Sequence, residues 1–524
     1  MKKILIVALM FASATGFISC SEDIDNINAN ENAPAFVLPN TIFNSATKQY
    51  TDFLRDDFNS GRLSLPWMQY WGQNAYADED RYLYRETTAE SLYRNTYLAA
   101  TEFKSIIDIN VDPNTAVQAS AVGNNQNQIA ASRIMLSYMF HRLTDFFGDV
   151  PYYSYGSDDP DFEALNIDES FSPKFASQEK IYADILKELR ESADMINTSE
   201  PVFTTGDNIY GGEATKWKKF ANSLILRVAN RLKEVDASTA NSAISAAISS
   251  GVFTSNEDNA IQAYDVTNTN ASPFWIAFLD RTDFAVAKPF VDLLKGETGS
   301  FGPDPRLFQM AAPKSVSIAD IKADNYEVSE DYADYVGIPY AFPLANTLPF
   351  TTYSFPSSNI LRPDFGEVLM EYAEVSFILS ENNGWNQAQY EDGVRASMTR
   401  WGVPAAEVDT FVTALPAATE ETVLNQKYVG LYMQPHEAYS EYRRTGFPST
   451  IVLPGETITL PAEQAAASEV DDYVFEPGPD VTDLPFRLRY PQILQTLNGA
   501  NRAEAVSGLS NGDTILSKLF WDVN

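Results

Sequence analysis

Residues 67–84 (WMQYWGQNAYADEDRYLY) mix aromatic side chains with amides, carboxylates and an arginine. Aromatic planes stack on the C–H faces of sugars, while amide, carboxylate and guanidinium groups hydrogen-bond sugar hydroxyls. The stretch therefore has the composition of a carbohydrate-binding surface. Trp67, Tyr70 and Trp71 fall at i, i+3 and i+4, however, which is the spacing of a helix face in a core. We favour core packing for these three, although Trp71 stays among the candidate contact residues.

The polar turn after Gly72 supplies better candidates for ligand contact, because it leaves the helical spacing and is rich in acidic side chains. Its candidate residues are Tyr76, Asp78, Asp80 and Arg81.

Two further segments combine aromatic and polar residues. They are residues 272–284 (SPFWIAFLDRTDF) and, as a weaker case, residues 351–359 (TTYSFPSSN). The candidates that they supply are Phe274, Trp275, Arg281 and Tyr353. Core packing accounts for the aromatic side chains of 272–284 about as well as ligand contact does.

The sequence contains no recognisable catalytic constellation. Its two histidines, His141 and His436, lie in no metal-binding spacing, and we expect both to be structural. No G-x-S-x-G elbow or phosphate-binding loop is present. A glycosidase needs two carboxylates at a set separation, which a sequence cannot show. We therefore assign no catalytic residue, metal or cofactor and predict that the protein is not an enzyme, with a surface-anchored glycan hydrolase as the alternative.

Charge and composition narrow the class of protein. The chain has 37 Lys and Arg against 71 Asp and Glu, a net charge of −34, which argues against binding nucleic acid or anionic lipid headgroups. Aromatic residues make up 13%, too many for a disordered chain. We expect a folded, soluble body.

Cys20 is the only cysteine, so no disulfide can form within the chain. Two lysines and the apolar run 4–12 precede it, and that run is shorter than the about 20 residues that span a bilayer. This order resembles a bacterial lipoprotein signal, in which a peptidase cuts before the cysteine and the thiol carries a lipid. We expect a signal peptide over 1–19 and a lipidated, acidic, flexible tether over 20–34. A plain secretory signal is the alternative.

Helical periodicity dominates the first half of the chain. In residues 217–232 the apolar side chains form one stripe, and cations including Arg227 and Arg231 mostly take the other face. The periodicity predicts helices over 85–109, 129–147, 178–196, 217–232, 365–380, 387–401 and 425–442. Loops rich in Pro, Gly and Asp separate them, and 451–453 and 458–460 are predicted short strands. The predicted class is mostly α with irregular insertions.

Six segments occur in order along the chain. They are DFFGDVPYY (145–153), WKKFANSLILRVANRL (217–232), DPRL (304–307), VLMEYAEVSFILSE (368–381), QKYVGLYMQPHEAYSEYRRTGFP (426–448) and PFRLRYPQ (485–492). Together, after a lipoprotein signal, they resemble the SusD/RagB family of outer-membrane nutrient-binding lipoproteins.

The resemblance implies a SusD-like domain over 35–524. Four tetratricopeptide-like helix pairs would form a scaffold at about 35–270 and 365–450. Loop-rich insertions with a few short strands, at about 270–363 and 450–524, would carry the ligand site. The implied partner is a SusC-like TonB-dependent transporter, a β-barrel on which the lipoprotein sits as a lid. The implied activity is capture of an oligosaccharide, or in some members a peptide, for delivery into that barrel, without catalysis.

The acidic residues directly after Cys20 look like the export signal of Bacteroidetes lipoproteins that reach the outer face of the outer membrane. We therefore expect a lipid-anchored outer-membrane protein that faces the cell exterior. Peptide capture is the alternative within the family, and a helical adaptor without a small-ligand site is an alternative outside it. We expect Arg443 and Arg444, beside Glu441, to form structural ion pairs more than to bind an anionic sugar.

Overall fold

The computed structural model describes residues 36–167 and 170–524, and helices make up most of its regular structure. The expected signal peptide, Cys20 and the tether lie outside the described residues. The chain divides into two units between Leu38 and Pro39, and all the described helices and strands lie in the unit Pro39–Asn524.

The described α-helices run along the whole of this unit. In chain order they are α1 (Pro39–Leu54), α2 (Leu65–Trp67), α3 (Glu86–Val111), α4 (Ala116–Ala119), α5 (Asn125–Phe147), α6 (Gln178–Met195), α7 (Ala214–Arg231), α8 (Ala237–Ser250), α9 (Pro273–Asp280), α10 (Lys288–Leu294), α11 (Leu307–Met310), α12 (Ile318–Lys322), α13 (Tyr372–Asn382), α14 (Gln387–Arg400), α15 (Ala405–Thr413), α16 (Glu420–Gly430), α17 (Pro435–Thr445), α18 (Ala462–Ser468), α19 (Leu494–Leu497) and α20 (Gly499–Ser507). A π-helical turn covers Ser60–Ser64, and 3₁₀ turns cover Ser120–Val122, Asn256–Asp258, Tyr332–Asp334, Ala345–Thr347 and Phe350–Thr352. None of the described helices has the length and hydropathy needed to cross a bilayer.

The longer helices pack in pairs: α1 with α3, α5 with α6, α7 with α8, and α13 with α14. Contacts of α3 with α5 and of α6 with α7 join the first three pairs into a stack, and α7 also contacts α13. The predicted mostly α fold with a paired-helix scaffold is therefore confirmed.

Capping residues set several helix boundaries. The Asn124 side chain accepts a hydrogen bond from the backbone N–H of Asn127 at the start of α5, and Gly148, whose φ is +87°, follows the last residue of α5. The Ser177 hydroxyl caps α6 in the same way as Asn124 caps α5. The predicted ends of these two helices agree with the structure to within a few residues.

Two predicted helices differ from the structure. The predicted helix over 425–442 is two helices, α16 and α17, because Pro435 has no N–H to continue the ladder and Met433 takes a φ of +69°. The first part of the predicted helix over 365–380 is a strand, and α13 begins only at Tyr372.

Within the described residues, six short strands form three antiparallel pairs. They are β1 (Trp71–Gln73) with β3 (Phe284–Val286), β2 (Ala260–Gln262) with β4 (Glu367–Met370), and β5 (Thr457–Thr459) with β6 (Asp472–Val474). The predicted strand over 451–453 is wrong, since those residues have no strand partner among the described residues, whereas β5 overlaps the predicted strand over 458–460.

Helix α7 carries two arginines that are fully buried, contrary to the expectation that its cations take the face opposite the apolar stripe. Arg227 forms an ion pair of 2.6 Å with Glu374 of α13. Arg231 forms ion pairs of 2.6 Å with Glu437 and 2.7 Å with Glu441, both of α17. Burial alone would raise the pKa of Glu437, but the charges of Arg231 and Arg227 outweigh it and lower that pKa to about 2.

The ion pairs continue beyond α7. Glu441 also pairs with Lys427 at 2.6 Å and with Arg444 at 2.9 Å, and Arg444 reaches Glu381 at 2.8 Å. Arg443 is buried as well and stacks on the ring of Tyr439, with 3.9 Å between its guanidinium carbon and the ring centroid. Arg443 and Arg444 are thus both structural residues, although of the two only Arg444 forms ion pairs among the described residues. We call the group formed by Arg227, Arg231, Glu374, Glu437 and Glu441 the α7 ion network.

We expect Glu437→Gln to lower the free energy of unfolding by about 3–5 kcal/mol, because it removes one acidic partner from each of two buried arginines, Arg227 and Arg231. Urea denaturation followed by circular dichroism measures this. Asp409→Asn is the matched control, since Asp409 pairs with Arg395 at 2.5 Å on the surface and an exposed pair contributes below about 1 kcal/mol. If the two variants lose the same small amount of unfolding free energy, the α7 ion network has no structural role.

Candidate functional site

Pairing of β1 with β3 brings two of the predicted aromatic segments together. Trp71 lies opposite Val286 and Gln73 opposite Phe284. Beyond the strand ends, the backbone N–H of Asn74 donates to the carbonyl of Asp283 at 2.9 Å. The turn that follows β1 therefore lies beside the turn that precedes β3, although the two are far apart in sequence.

Tyr76 and Arg281 meet on the surface where these turns adjoin. Tyr76 is 47% exposed, and the guanidinium of Arg281 donates to its hydroxyl at 3.4 Å. The Cζ atoms of Arg281 and Arg62 lie 5.6 and 5.4 Å from the centroid of the Tyr76 ring, within cation–π distance. The sequence predicted the first two residues but not Arg62.

Ion pairs fix the guanidinium groups around this ring. Arg62 is buried and lies 3.0 Å from Asp283 and 3.7 Å from Glu79. The largely exposed side chains of Arg281 and Arg85 lie 3.0 Å from Asp283 and 3.2 Å from Glu79 respectively. Two carboxylates thus hold three arginines in place.

Like Tyr76, a second exposed ring, Phe58, lies near Arg62. Arg62 and Arg85 lie 5.2 and 5.8 Å from its centroid. We call the exposed side chains of Phe58, Tyr76, Arg85 and Arg281 the arginine–tyrosine surface. Its two aromatic faces and two guanidinium groups can contact the C–H and hydroxyl groups of a sugar.

The other residues of the predicted polar turn divide by exposure. Asp78 is exposed, and the half-buried Arg81 donates from Nε to the carbonyl of Glu476 at 2.8 Å. Asp80 is buried and accepts hydrogen bonds from the backbone N–H and side-chain amide of Gln73 at 2.8 and 3.1 Å. Burial raises the pKa of Asp80 to about 7. Asp80 therefore shapes the turn from inside.

Three predicted contact residues are core residues instead. Trp71 is fully buried, donates from Nε1 to the hydroxyl of Tyr432 at 2.8 Å, and packs on the equally buried Phe274 with 4.9 Å between ring centroids. Tyr353 is also fully buried. The interpretation of Trp71, Phe274 and Tyr353 as ligand contacts is not supported, because none of them has surface to offer. Phe350, which was not among the predicted contact residues, is 52% exposed.

Trp275, the remaining predicted contact residue, lies on α9. It is half-buried, and the ammonium of Lys322 lies 5.8 Å from its ring centroid. Ile276 and Leu279 on the same helix are exposed. Trp275 therefore keeps part of its ring available at the surface.

The two histidines are interior residues. Nε2 of His436 lies 3.3 Å from the carbonyl of Leu54, and burial lowers the pKa of His141 to about 4. Within 36–167 and 170–524, no three His, Cys, Asp or Glu side chains are grouped so that they could hold a metal ion.

Family models match most of the chain. A model described as "Starch-binding associating with outer membrane" matches residues 30–465, and one described as "Susd and RagB outer membrane lipoprotein" matches residues 417–522. A comparison with curated proteins finds no match.

Solved structures share the fold over nearly the whole chain. A chitin-binding protein is 25% identical, with a TM-score of 0.69 over 91% of this chain and 100% of its own. A SusD homolog from Bacteroides uniformis is 21% identical, with a TM-score of 0.69 over 92% and 99% of the two chains. A chitin-binding SusD homolog from Flavobacterium johnsoniae is 20% identical, with a TM-score of 0.67 over 92% and 99%.

Stability measurements separate the buried from the exposed aromatic residues of this region. We expect Trp71→Ala to lower the free energy of unfolding by about 3–5 kcal/mol, because it empties a packed site in the core. Tyr76→Ala, in the same segment, should change the free energy of unfolding by only about 0.5 kcal/mol, as most surface substitutions do. A large loss for Tyr76→Ala in urea denaturation would show that its ring is structural.

Proposed function

The chain belongs to the SusD-like family of outer-membrane lipoproteins, and from this premise we propose that it captures oligosaccharides at the cell surface through the arginine–tyrosine surface. The observation that carries the proposal is the half-exposed ring of Tyr76, which has the guanidinium groups of Arg62 and Arg281 within cation–π distance. The chitin-binding proteins that share the fold support a glycan as the ligand.

Binding would combine stacking with hydrogen bonds. A pyranose ring placed on Tyr76 or Phe58 presents its C–H groups to an aromatic face, while its hydroxyls reach Arg281, Arg85 and the exposed Asp78. The β1–β3 pair and the ion pairs hold these side chains before the ligand arrives, so little conformational entropy is lost on binding. The protein would bind the glycan and leave it chemically unchanged.

The ligand would then pass to a SusC-like TonB-dependent transporter, on which the protein would act as a lid. A lipid on Cys20 would hold the protein at the outer face of the outer membrane. An anchor of two or three acyl chains gives stable attachment, whereas one chain gives reversible attachment. The family membership and the lipoprotein-like signal around Cys20 support this arrangement.

Calorimetry with the purified protein tests the ligand class. We expect heat of binding with one class among a panel of polysaccharides that includes chitin oligosaccharides, and none with a mixed peptide digest. Tyr76→Ala should weaken the glycan affinity about tenfold or more, which corresponds to a loss of about 1.4 kcal/mol. Phe171→Ala is the matched control, because Phe171 is an aromatic residue that is 90% exposed outside the site.

Three outcomes would contradict the proposal. Binding of peptides and not of glycans would show that the protein captures peptides. Release of shortened glycan would make it a hydrolase. Glycan binding that Tyr76→Ala and Phe171→Ala reduce equally would place the ligand elsewhere on the protein.

Fractionation of cells tests the anchor. We expect Cys20→Ala to leave the circular dichroism spectrum unchanged and to release the protein from the membrane fraction, in cells that lack the transporter. Ser21→Ala, next to the attachment residue, should remain with the membranes. If the Cys20→Ala protein also remains there, the lipid-attachment hypothesis is wrong.

A further inference from the structure

A cavity of about 440 Å³ lies between α15, the chain around α11 and the 3₁₀ turn Tyr332–Asp334. This volume falls within the range of small-molecule sites. No residue of the arginine–tyrosine surface is among the described residues that line it. The cavity is thus a separate feature, and we call it the aromatic cavity.

Aromatic rings from three parts of the chain form its walls. Phe301 meets Phe411 edge to face, with 6.2 Å between ring centroids, and Phe308 packs on Tyr332 at 4.6 Å. The three phenylalanines are nearly buried, while Tyr332 is half-exposed. A ligand that enters therefore meets π faces and ring edges on more than one side.

The charged residues among those that line the aromatic cavity are acidic. Glu330, which is exposed, and Glu407, which is half-buried in the first turn of α15, both line it. No lysine, arginine or histidine does so within the described parts of the chain. Burial and the negative charges of Asp304 and Glu407 raise the pKa of the Tyr332 hydroxyl.

We propose that the aromatic cavity binds a protonated amino sugar. Aromatic faces and nearby carboxylates favour an organic cation: the ammonium group gains both cation–π and ion-pair contacts, and the C–H face of the sugar ring stacks on the walls. A neutral sugar gains only the stacking, and an anionic sugar is repelled by Glu330 and Glu407. That the ligand is a sugar rests on the proposed function. That the ligand is positively charged rests on the residues of the cavity alone.

Glucosamine and N-acetylglucosamine form a matched pair of probes, since acetylation removes the positive charge and leaves the ring unchanged. The measurement is ligand-observed NMR titration of the purified Tyr76→Ala protein at mildly acidic pH, so that the arginine–tyrosine surface contributes little. We expect glucosamine to bind about tenfold more tightly than N-acetylglucosamine, and added salt to reduce this difference.

Variants locate the binding. Adding Glu330→Gln and Glu407→Gln to that protein should abolish the preference for glucosamine. Glu420→Gln with Glu421→Gln is the matched control, because it removes two exposed acidic charges at the start of α16 that do not line the cavity, and it should keep the preference. Phe411→Leu, which keeps an apolar side chain but removes the π face, should weaken glucosamine binding.

The results distinguish this inference from the proposed function. Equal binding of the two sugars, no binding of either, or a preference that survives the loss of Glu330 and Glu407 would overturn the amino-sugar site. Binding of lysine amide without glucosamine would overturn the choice of a sugar. The proposed function stands or falls separately, on whether neutral glycans bind the wild-type protein and depend on Tyr76.

Discussion

Two buried arginines on α7 determine how the helices around them are arranged. Arg227 and Arg231 are one helical turn apart, and so are Glu437 and Glu441 on α17. Arg231 bridges both of these acids, while Arg227 lies 2.6 Å from Glu374 of α13 and 3.5 Å from Glu437. A shift of α17 by one turn, about 5.4 Å, would keep only one of its two acids beside Arg231. The α7 ion network therefore fixes the register of three helices at once.

This arrangement reaches the arginine–tyrosine surface through α17. Helix α17 contacts the π-helical turn Ser60–Ser64, which carries Arg62, and the ring of Tyr439 packs on Trp67 with 5.3 Å between centroids. Four residues beyond Trp67, Trp71 is tied to Tyr432 and begins β1. The position of the exposed Tyr76 thus depends on a series of buried contacts that begins at the α7 ion network. Buried ion pairs add little net stability compared with apolar packing, but removing one partner is strongly destabilising. Their main effect in this protein is therefore to select one arrangement of the helices over others.

The helices could be predicted from the sequence because an apolar stripe repeats at the helical period, and the stripe on α7 is as predicted. The same reasoning failed for Arg227 and Arg231, since a pattern on one helix assigns cations to solvent and cannot show that acids from α13 and α17 meet them. For the site, helical spacing favoured core packing for Trp71, which is buried, although Trp71 stayed a candidate contact beside the exposed Tyr76. The sequence could not predict the ion pair between Arg62 and Asp283. The two residues are 221 positions apart, and the pairing of β1 with β3 brings them together.

Electrostatics act on two length scales in this protein. The net charge of −34 repels anions at a distance, but salt at physiological strength screens that field beyond about 8 Å. Recognition is therefore left to contacts. On the arginine–tyrosine surface, Glu79 and Asp283 already neutralise much of the charge on the three arginines, so the guanidinium groups are better suited to hydroxyls than to a carboxylate or sulfate. The aromatic cavity has aromatic walls too, but its acids have no cation beside them among the described lining residues. The same aromatic chemistry is thus combined with balanced charge on the arginine–tyrosine surface and with negative charge in the aromatic cavity, and this difference is the basis on which we propose neutral sugars for the first and a cationic sugar for the second.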